Sequence, residues 1–246
     1  MDDSSSFYVG YLPVPRPLIR FLWLALPLLV GAAWMVALLA AGSQPSPGNG
    51  IWHDADVQHY RGRVVLWPYP ILLPTDHPER GYLLVESGKH GAQRDWPALV
   101  GHEVEATGRP LERDKALMIE LDPGEAGLSV VASAPQGTLP AATGEEIRTL
   151  RGEIVDSKCF LGAMKPGHGK THKACATLCI KGGIPPLFIS KTRDGYDYWL
   201  ICGADGKPLP ESLWPLIADP LEIKGRIESM GGVRRILVAP TDIRPL

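Results

Sequence analysis

The sequence RGRVVL at residues 61–66 returns as RGEIVD at residues 151–156, and further matched pairs follow in the same order along the chain. The matched segments are rich in β-branched and other apolar residues and lie between turn-forming residues, which is typical of short strands. An ordered series of matches indicates one domain present in two copies. The other pairs are YLLV (82–85) with YWLI (198–201), WPAL (96–99) with WPLI (214–217), VEATGRPLE (104–112) with LEIKGRIES (221–229), and ALMIEL (116–121) with RILVAP (235–240).

The matched segments predict a mostly β protein with two tandem OB-like small β barrels, over residues 58–133 and 148–246. About five short strands with a connector in the middle of the domain are typical of the OB fold, a small five-stranded barrel. A small β sandwich is the alternative for the same strand pattern. A linker is expected over residues 134–147, because the glycine and proline of GTLPAATGEE favour loop structure.

An apolar run without charges precedes the repeat. Its 22 residues, Phe21 to Gly42, are enough to cross a hydrocarbon core of about 30 Å as a helix, which predicts a single N-terminal transmembrane helix over residues 21–42. A cleaved signal peptide is the alternative. Arg16 and Arg20 lie before the run, and the first charged residues after it are acidic. The positive-inside rule therefore places the N-terminus in the cytoplasm.

The same charge pattern sets the expected localisation of each part of the chain. In a bacterium it is the inner membrane, with residues 1–20 as a cytoplasmic or interfacial segment and the two barrels in the periplasm. Residues 43–57 are expected to be a linker, because they begin with a stretch rich in Gly, Pro and Ser. The membrane is thus one expected partner.

The second copy contains an insertion that the first copy lacks. Arg61 and Tyr82 are 21 positions apart, whereas the matching Arg151 and Tyr198 are 47 positions apart, a difference of 26 residues. The additional residues fall within 157–190, where three of the four cysteines of the chain are found together with two histidines. A Cys/His-bearing loop and helix in one copy of a duplicated barrel indicates a scaffold with a site added to it.

Part of the insertion is expected to be a short helix. In the sequence THKACATLCIKGG, Thr171 is the predicted N-cap and the two glycines mark the end of the helix. His172, Cys175 and Cys179 stand at i, i+3 and i+7, so their side chains project from one face. The remaining cysteine and histidine of the insertion approach this face from the preceding loop.

These residues predict a metal site, with zinc or copper as the ion. Three cysteines and one histidine are the ligand types of a Cys3His zinc site, and copper binds the same donors. Asp156, at the edge of the insertion, either pairs with a lysine such as Lys158 or orients a ligand histidine. The candidate ligands are Cys159, His168, His172, Cys175 and Cys179.

Two other interpretations of the cysteines are open. An even number of cysteines in an exported domain is compatible with disulfide bonds, and free or redox-active thiols are the third interpretation. Cys202 ends the strand YWLIC, where alternation places it on the same face as Tyr198 and Leu200 as a buried thiol. The cysteines available for disulfide pairing are Cys159, Cys175, Cys179 and Cys202.

The insertion is also strongly cationic. From Ser157 to Arg193 the sequence has seven Lys and Arg residues and no Asp or Glu. Such a positive field attracts an acidic surface of a membrane or periplasmic protein partner, and a solvated lysine-rich loop is the alternative. The net charge of −2 gives no argument for nucleic-acid binding. The predicted partner-binding residues are Lys158, Lys165, Lys170, Lys173 and Lys181.

The sequence GEIVDSKC (152–159), followed by HKACATLCIKGGIPP (172–186), resembles a block in small exported bacterial proteins of uncharacterised role. The resemblance covers residues 152–202 and leaves out the first copy and the apolar run. It implies a bacterial origin and an exported β domain. It implies no activity.

Together these features predict a membrane-anchored, non-catalytic accessory or assembly subunit of a membrane complex, for example a respiratory one. No G-x-S-x-G motif and no P-loop occur in the sequence, so no catalytic residue is assigned. Two other functional classes use the same insertion. One is a metal-binding or metal-delivery protein, and the other is a thiol or metal enzyme centred on Cys159, Cys175 and Cys179.

Overall fold

The computed structural model describes residues 14–43, 49–132, 140–193 and 195–246. These residues fall in two compact units, Met1–Ser46 and Pro47–Leu246. The predicted segment 1–20 and the predicted linkers 43–57 and 134–147 each lie partly outside the described residues.

The first unit contains one long apolar helix. Helix α1 spans Arg16–Ser43, 28 residues, with Pro27 inside it and none of its residues buried. Its length is about 42 Å at about 1.5 Å per residue, and its most apolar window has a mean hydropathy of 2.3. The helix includes all of the predicted span 21–42 and is long and apolar enough to cross a membrane. A signal sequence near the N-terminus has the same properties.

The second unit begins with a closed five-stranded barrel. Its elements are β1 (Ile51–Trp52), β2 (Gln58–Leu66), β3 (Pro70–Pro74), β4 (Tyr82–Glu86), the short helix α2 (Trp96–Leu99), β5 (Glu103–Arg113), β6 (Ala116–Leu121) and β7 (Leu128–Ala132). Strands β2, β3 and β4 pair antiparallel in order, and β5 pairs antiparallel with both β2 and β6. The parallel pairing of β4 with β6 closes the ring, while β1 and β7 add to β5 outside it.

A second barrel with the same connectivity follows. Its elements are β8 (Thr143–Asp156), α3 (Lys173–Lys181), β9 (Pro186–Lys191), β10 (Tyr196–Gly203), a 3-10 turn (Glu211–Leu216), β11 (Leu221–Met230), β12 (Val233–Val238) and β13 (Ile243–Pro245). The ring runs β8, β9, β10, β12, β11 and back to β8, with β10 and β12 parallel and all other pairs antiparallel. The mostly β fold with two OB-like barrels is thereby confirmed.

The first and fourth strands of the two barrels match in the register that the sequence repeat predicts. Gly62 lies opposite Val104 in the first barrel, and Gly152 lies opposite Leu221 in the second. A Cβ atom on Gly62 would lie 2.3 Å from a carbonyl oxygen of the neighbouring strand. In the second barrel, a Cβ atom on Gly152 would lie 1.9 Å from the corresponding carbonyl oxygen. This close approach of neighbouring strands explains why both copies have a glycine at this position.

The remaining matches identify equivalent strands but not the right register. YLLV and YWLI lie in the equivalent strands β4 and β10, where Leu83 and Leu200 share a position. Their partners Met118 and Arg235 lie opposite Leu111 and Glu228, which the sequence repeat matches to each other. This differs from the sequence alignment by one residue in β4/β10 and by two residues in β6/β12. The Trp-Pro connectors lie between the third and fourth strands of each barrel. Strands β3 and β9, which have no match in the sequence repeat, add one strand before each connector.

Each barrel has an apolar interior of its own, and a third apolar core lies between the barrels. Leu72 and Leu84 point into the first barrel, whereas their neighbour Leu83 belongs to a cluster that also contains Leu187 and Leu200 of the second barrel. All five side chains are at most 4% exposed. Several strands are therefore buried on both faces, and the two barrels form one compact body.

Strands of the second unit begin before the predicted domain boundaries. Strand β1 lies within the predicted linker 43–57, and β8 begins at Thr143, within the predicted linker 134–147. Thr143 still pairs with Ser229 of β11. The early start of β8 is thus part of barrel closure, which turn-forming composition alone does not predict.

Candidate functional site

The insertion of the second barrel joins β8 to β9 over residues 157–185, where the first barrel uses only residues 67–69 to join β2 to β3. It leaves β8 through a π-helical turn, Cys159–Ala163. In that turn Phe160 and Leu161 are fully buried in the core between the barrels. The start of the insertion is therefore fixed by apolar packing.

The helix of the insertion is shorter than predicted. A 3-10 turn, Lys170–His172, comes first and contains Thr171, the predicted N-cap. Helix α3 begins at Lys173, with His172 as its N-cap residue. The end is as predicted, because the chain leaves the helix through Gly183 with a φ of 99°.

Four side chains of the insertion come together beside the core between the barrels. One ligand atom each of Cys159, His172 and Cys175 lies within 4.8 Å of the others, and Cys159 forms a second such group with Asp156 and Cys179. The exposed fractions are 6% for Cys159, 5% for His172 and 1% for Cys179. Cys175 is half-buried. Each group could hold a metal ion, and Cys159, which belongs to both, links the four residues of the predicted Cys3His set.

Asp156, the last residue of β8, holds the cluster in position. Its Oδ2 atom accepts a hydrogen bond from His172 Nε2 at 2.9 Å, and its Oδ1 atom accepts the backbone N–H of Cys159 at 2.8 Å. The side chain is fully buried. With Nε2 protonated for this bond, Nδ1 of His172 is the ring nitrogen that has a free lone pair. Of the two predicted roles for Asp156, the structure gives the orientation of a histidine.

The proximity of the three thiols makes them unequal acids. The neighbouring Cys179 thiol, together with burial, raises the pKa of Cys159 far above its usual value. The neighbouring Cys159 thiol lowers the pKa of Cys179, which is therefore the first of the cluster to become a thiolate. Burial and the proximity of Cys179 raise the pKa of Cys175, and the ammonium group of Lys89 opposes that increase.

The first barrel forms one side of the site. Its loop after β4 packs on the end of α3: the backbone N–H of Gly91 donates to the carbonyl oxygen of Gly182 at 2.9 Å. A Cβ atom on Gly182 would lie 2.1 Å from the carbonyl oxygen of Lys89. The exposed Lys89 lies near Cys175, and this neighbouring thiol raises the pKa of Lys89. The position of Lys89 beside the cluster is not predictable from the sequence, because no local pattern links this residue to an insertion in the other copy.

Lys158 connects the insertion to the first barrel from the buried side. Its Nζ atom lies 2.6 Å from Glu120 Oε2 and donates to the carbonyl oxygens of Glu86 and Gly88, both at 3.0 Å. Only 6% of Lys158 and 6% of Glu120 are exposed. The predicted role of Lys158 in partner binding is therefore incompatible with its burial inside the chain.

The other four predicted partner-binding lysines are at least partly accessible. Lys173 is half-buried, and its Nζ atom lies 2.6 Å from Asp219 Oδ2. This ion pair reduces the positive field that Lys173 offers to a partner. The exposed members of the predicted set are Lys165, Lys170 and Lys181.

His168, the fifth predicted ligand, belongs to a different set of contacts. Its Nε2 atom lies 3.3 Å from the Tyr196 hydroxyl, and its Nδ1 atom lies 3.5 Å from Glu153 Oε1. Neither group of converging ligand atoms includes it. The Gly/Pro-rich loop thus turns His168 towards the barrel surface, whereas Cys159 is held in the cluster by the π-helical turn.

All four cysteines are free thiols, in contrast to the disulfide interpretation of the sequence. Cys202 is fully buried in the core between the barrels, in the same cluster as Leu200, with Tyr198 packed against it. This placement confirms the predicted face of the strand. Cys202 is thus the one cysteine that takes no part in the metal-ligand groups.

No protein-family model, no curated protein and no solved structure matches this chain.

Proposed function

We propose that this chain is a membrane-anchored metal-binding protein, with a zinc centre of three cysteines and one histidine in its second barrel. The observation that carries the proposal is a pair of ligand groups that overlap at Cys159, one with His172 and Cys175 and one with Cys179, beside the core between the barrels. Thiolate sulfur and neutral imidazole are the donors that bind Zn²⁺ in four-coordinate protein sites.

The spacing of the donor atoms supports a tetrahedral centre. With Zn–S bonds of about 2.3 Å, neighbouring ligand atoms in a tetrahedron lie about 3.8 Å apart. The donors of each group already lie within 4.8 Å of one another. Side-chain rotations that bring Cys179 together with His172 and Cys175 around Cys159 would complete the coordination geometry.

Asp156 supports the proposal as a positioning residue. Metal-binding histidines commonly donate their second ring N–H to a carboxylate, which fixes the ring and makes the other nitrogen a better donor. Asp156 stands in this relation to His172, at 2.9 Å. Its other oxygen accepts the Cys159 N–H, so both oxygens have partners and Cys179 is the better fourth ligand.

The apolar helix gives the centre its proposed location. We place the chain in a bacterial inner membrane, with the N-terminus in the cytoplasm and both barrels in the periplasm. Arg16 and Arg20, at the start of α1, support this orientation through the positive-inside rule. An accessory or assembly role in a membrane complex fits an anchored metal centre, and it is the cellular context that we propose.

The proposal is tested by metal analysis of the full-length chain, purified in detergent under reducing conditions. Elemental analysis and native mass spectrometry should find one zinc ion per chain after loading and desalting. Cys179→Ser removes one of four ligands, about a quarter of the roughly 10–16 kcal/mol of a structural zinc site, and should weaken binding about 100- to 1,000-fold.

Cys202→Ser is the matched control, because it removes a buried thiol of the same barrel that lies outside the metal-ligand groups. This variant should retain the zinc ion. A full-length chain that holds no zinc, with Cys159 and Cys179 open to alkylation in the native state, would contradict the proposal.

A further inference from the structure

We propose that the metal centre is an exchange site, which hands its ion to an anionic thiol ligand through the side of the cluster formed by Cys175 and Lys89. This inference rests on the proposed function, because it requires a bound ion. It adds the direction of transfer, the residue that is replaced first and the chemistry of the acceptor.

The ligands differ in their access to solvent. Cys159, His172 and Cys179 are at most 6% exposed, whereas Cys175 is half-buried. A centre that only stabilises a fold has no need of an accessible ligand, since its four positions are closed. The unequal burial gives an incoming ligand one route to the ion, along Cys175.

The exposed lysine beside Cys175 is held there by backbone contacts between the barrels. Gly91 donates its N–H to Gly182 at the end of α3, and the Lys89 carbonyl oxygen packs where Gly182 has no Cβ atom. Lys158 holds the preceding residue of the loop through the carbonyl oxygen of Gly88. The position of the Lys89 backbone is therefore fixed on both sides.

The charge of the loaded centre determines which acceptor benefits from Lys89. Three thiolates around one Zn²⁺ leave one net negative charge, which repels an incoming thiolate. The Lys89 ammonium group next to Cys175 offsets this charge at the point of approach. It also attracts other negative groups on the acceptor, so an acidic thiol ligand is favoured over a neutral one.

The transfer is a ligand exchange without any change in oxidation state. The thiolate of the acceptor forms a bond to the ion as the bond from Cys175 breaks, and Cys175 leaves as a thiolate that takes a proton from solvent. The ion stays +2 throughout. The buried ligands Cys159, Cys179 and His172 retain the ion until a second donor of the acceptor replaces them.

The experiment follows zinc transfer from the loaded full-length chain to two dithiols, dimercaptosuccinate, which carries carboxylates, and dithiothreitol, which is neutral. For both, the rate should rise in proportion to the dithiol concentration. Lys89→Met should slow transfer to dimercaptosuccinate about fivefold and transfer to dithiothreitol by at most about twofold, because dithiothreitol approaches with a thiolate but no carboxylate. Lys89→Arg should restore the rate, and high salt should remove the difference between the two proteins.

Lys224→Met is the matched control, because Lys224 is an exposed lysine of β11, outside the insertion and outside the loop after β4. It should transfer zinc to both dithiols at the parent rate. A rate that does not depend on dithiol concentration, or an equal effect of Lys89→Met on both dithiols, would overturn the exchange site while zinc binding stands. A chain that cannot be loaded with zinc overturns the proposed function itself.

Discussion

The two barrels share one connectivity but differ at a single connection. Strands β2 and β3 are joined by residues 67–69, whereas the equivalent β8 and β9 are joined by residues 157–185. The residue before each connection has the same register, because Leu66 lies opposite Pro70 and Asp156 lies opposite Pro186. Leu66 is 40% exposed, and Asp156 is fully buried.

The difference shows how a Cys/His cluster is added to one of two barrels with the same connectivity. The long connection covers the end of its own barrel and part of the first one, so the position occupied by Asp156 becomes buried. A buried carboxylate requires hydrogen-bond partners, and the connection itself supplies them through His172 and Cys159. The insertion thus carries the Cys/His cluster and also forms part of the core between the barrels.

The largest effect is expected when the second barrel is given the connection of the first. Replacing residues 157–185 with the three residues Trp-Pro-Tyr removes Phe160, Leu161 and Ile184, all fully buried. Each such side chain contributes about 2 to 5 kcal/mol, so the loss should exceed about 5 kcal/mol and unfold the second barrel. Thermal unfolding followed by circular dichroism checks this. An unchanged midpoint would show that the insertion is a surface loop on an independent barrel.

A single substitution should measure how much the buried contacts of Lys158 with the first barrel contribute to stability. Lys158→Met leaves Glu120 buried without its cation and two carbonyl oxygens of the first barrel without their donor. The expected loss is about 3 to 5 kcal/mol in the free energy of unfolding, measured with urea. Lys165→Met, at an exposed lysine of the same insertion, is the control and should change stability by less than about 0.5 kcal/mol. Equal stability of both variants would mean that the stability of the barrels does not depend on these contacts of Lys158.

Substituting Asp156, the residue that precedes the connection in the second barrel, should affect metal binding more than folding. Asp156→Asn retains the size of the side chain but weakens the hydrogen bond that orients His172, so zinc affinity should fall about 10- to 100-fold. Competition with a zinc chelator measures the change. The counterpart Leu66→Asp alters an exposed residue and should leave the zinc affinity as it is. An Asp156→Asn variant with parent affinity would exclude the positioning role of Asp156.

The smallest effect is a dependence of stability on pH in the zinc-free protein. The lowered pKa of Cys179 adds stability that grows as the pH rises towards the usual thiol value of 9.0. The raised pKa of Cys159 and Cys175 favours the protonated folded state, so stability is lost as the pH rises above that value.

Urea unfolding at a series of pH values should therefore give a maximum near pH 9, with slopes of at most about 1.4 kcal/mol per pH unit for each thiol. The decline above the maximum should become shallower in Cys159→Ser. A stability that continues to rise above about pH 9.5 would contradict the assigned directions, because the unfolded chain then releases the protons that the folded protein still holds on Cys159 and Cys175.

The repeat and the ligand cluster were predictable because both depend on local sequence. Matched strands and turns reveal the duplication, and helical spacing brings His172, Cys175 and Cys179 to one face. Cys159 could be added to the predicted ligand set, because it is the one remaining cysteine of the insertion. The strand registers in β4 and β10 were harder to predict from the sequence, since apolar runs such as YLLV fit their partners equally well after a shift of one residue.

The packing of the barrels on each other was not predictable in the same way. Strands β3, β4 and β6 are nearly uninterrupted apolar runs, which is a sign of burial on both faces, but that sign does not name the covering partner. Lys158 therefore looked like a surface lysine, and Lys89 had no visible connection to the cysteines. His168 has the ligand chemistry of His172, and the path of the loop excludes it from the cluster.

The coordination of zinc in the loaded full-length chain tests the metal centre most directly, by X-ray absorption at the zinc edge. Three cysteines and one histidine predict three sulfur neighbours at about 2.3 Å and one nitrogen at about 2.0–2.1 Å. The Cys202→Ser variant should give the same spectrum. A zinc ion surrounded only by nitrogen and oxygen, or a chain that binds no zinc at an equimolar ratio, would contradict a centre built from Cys159, His172, Cys175 and Cys179.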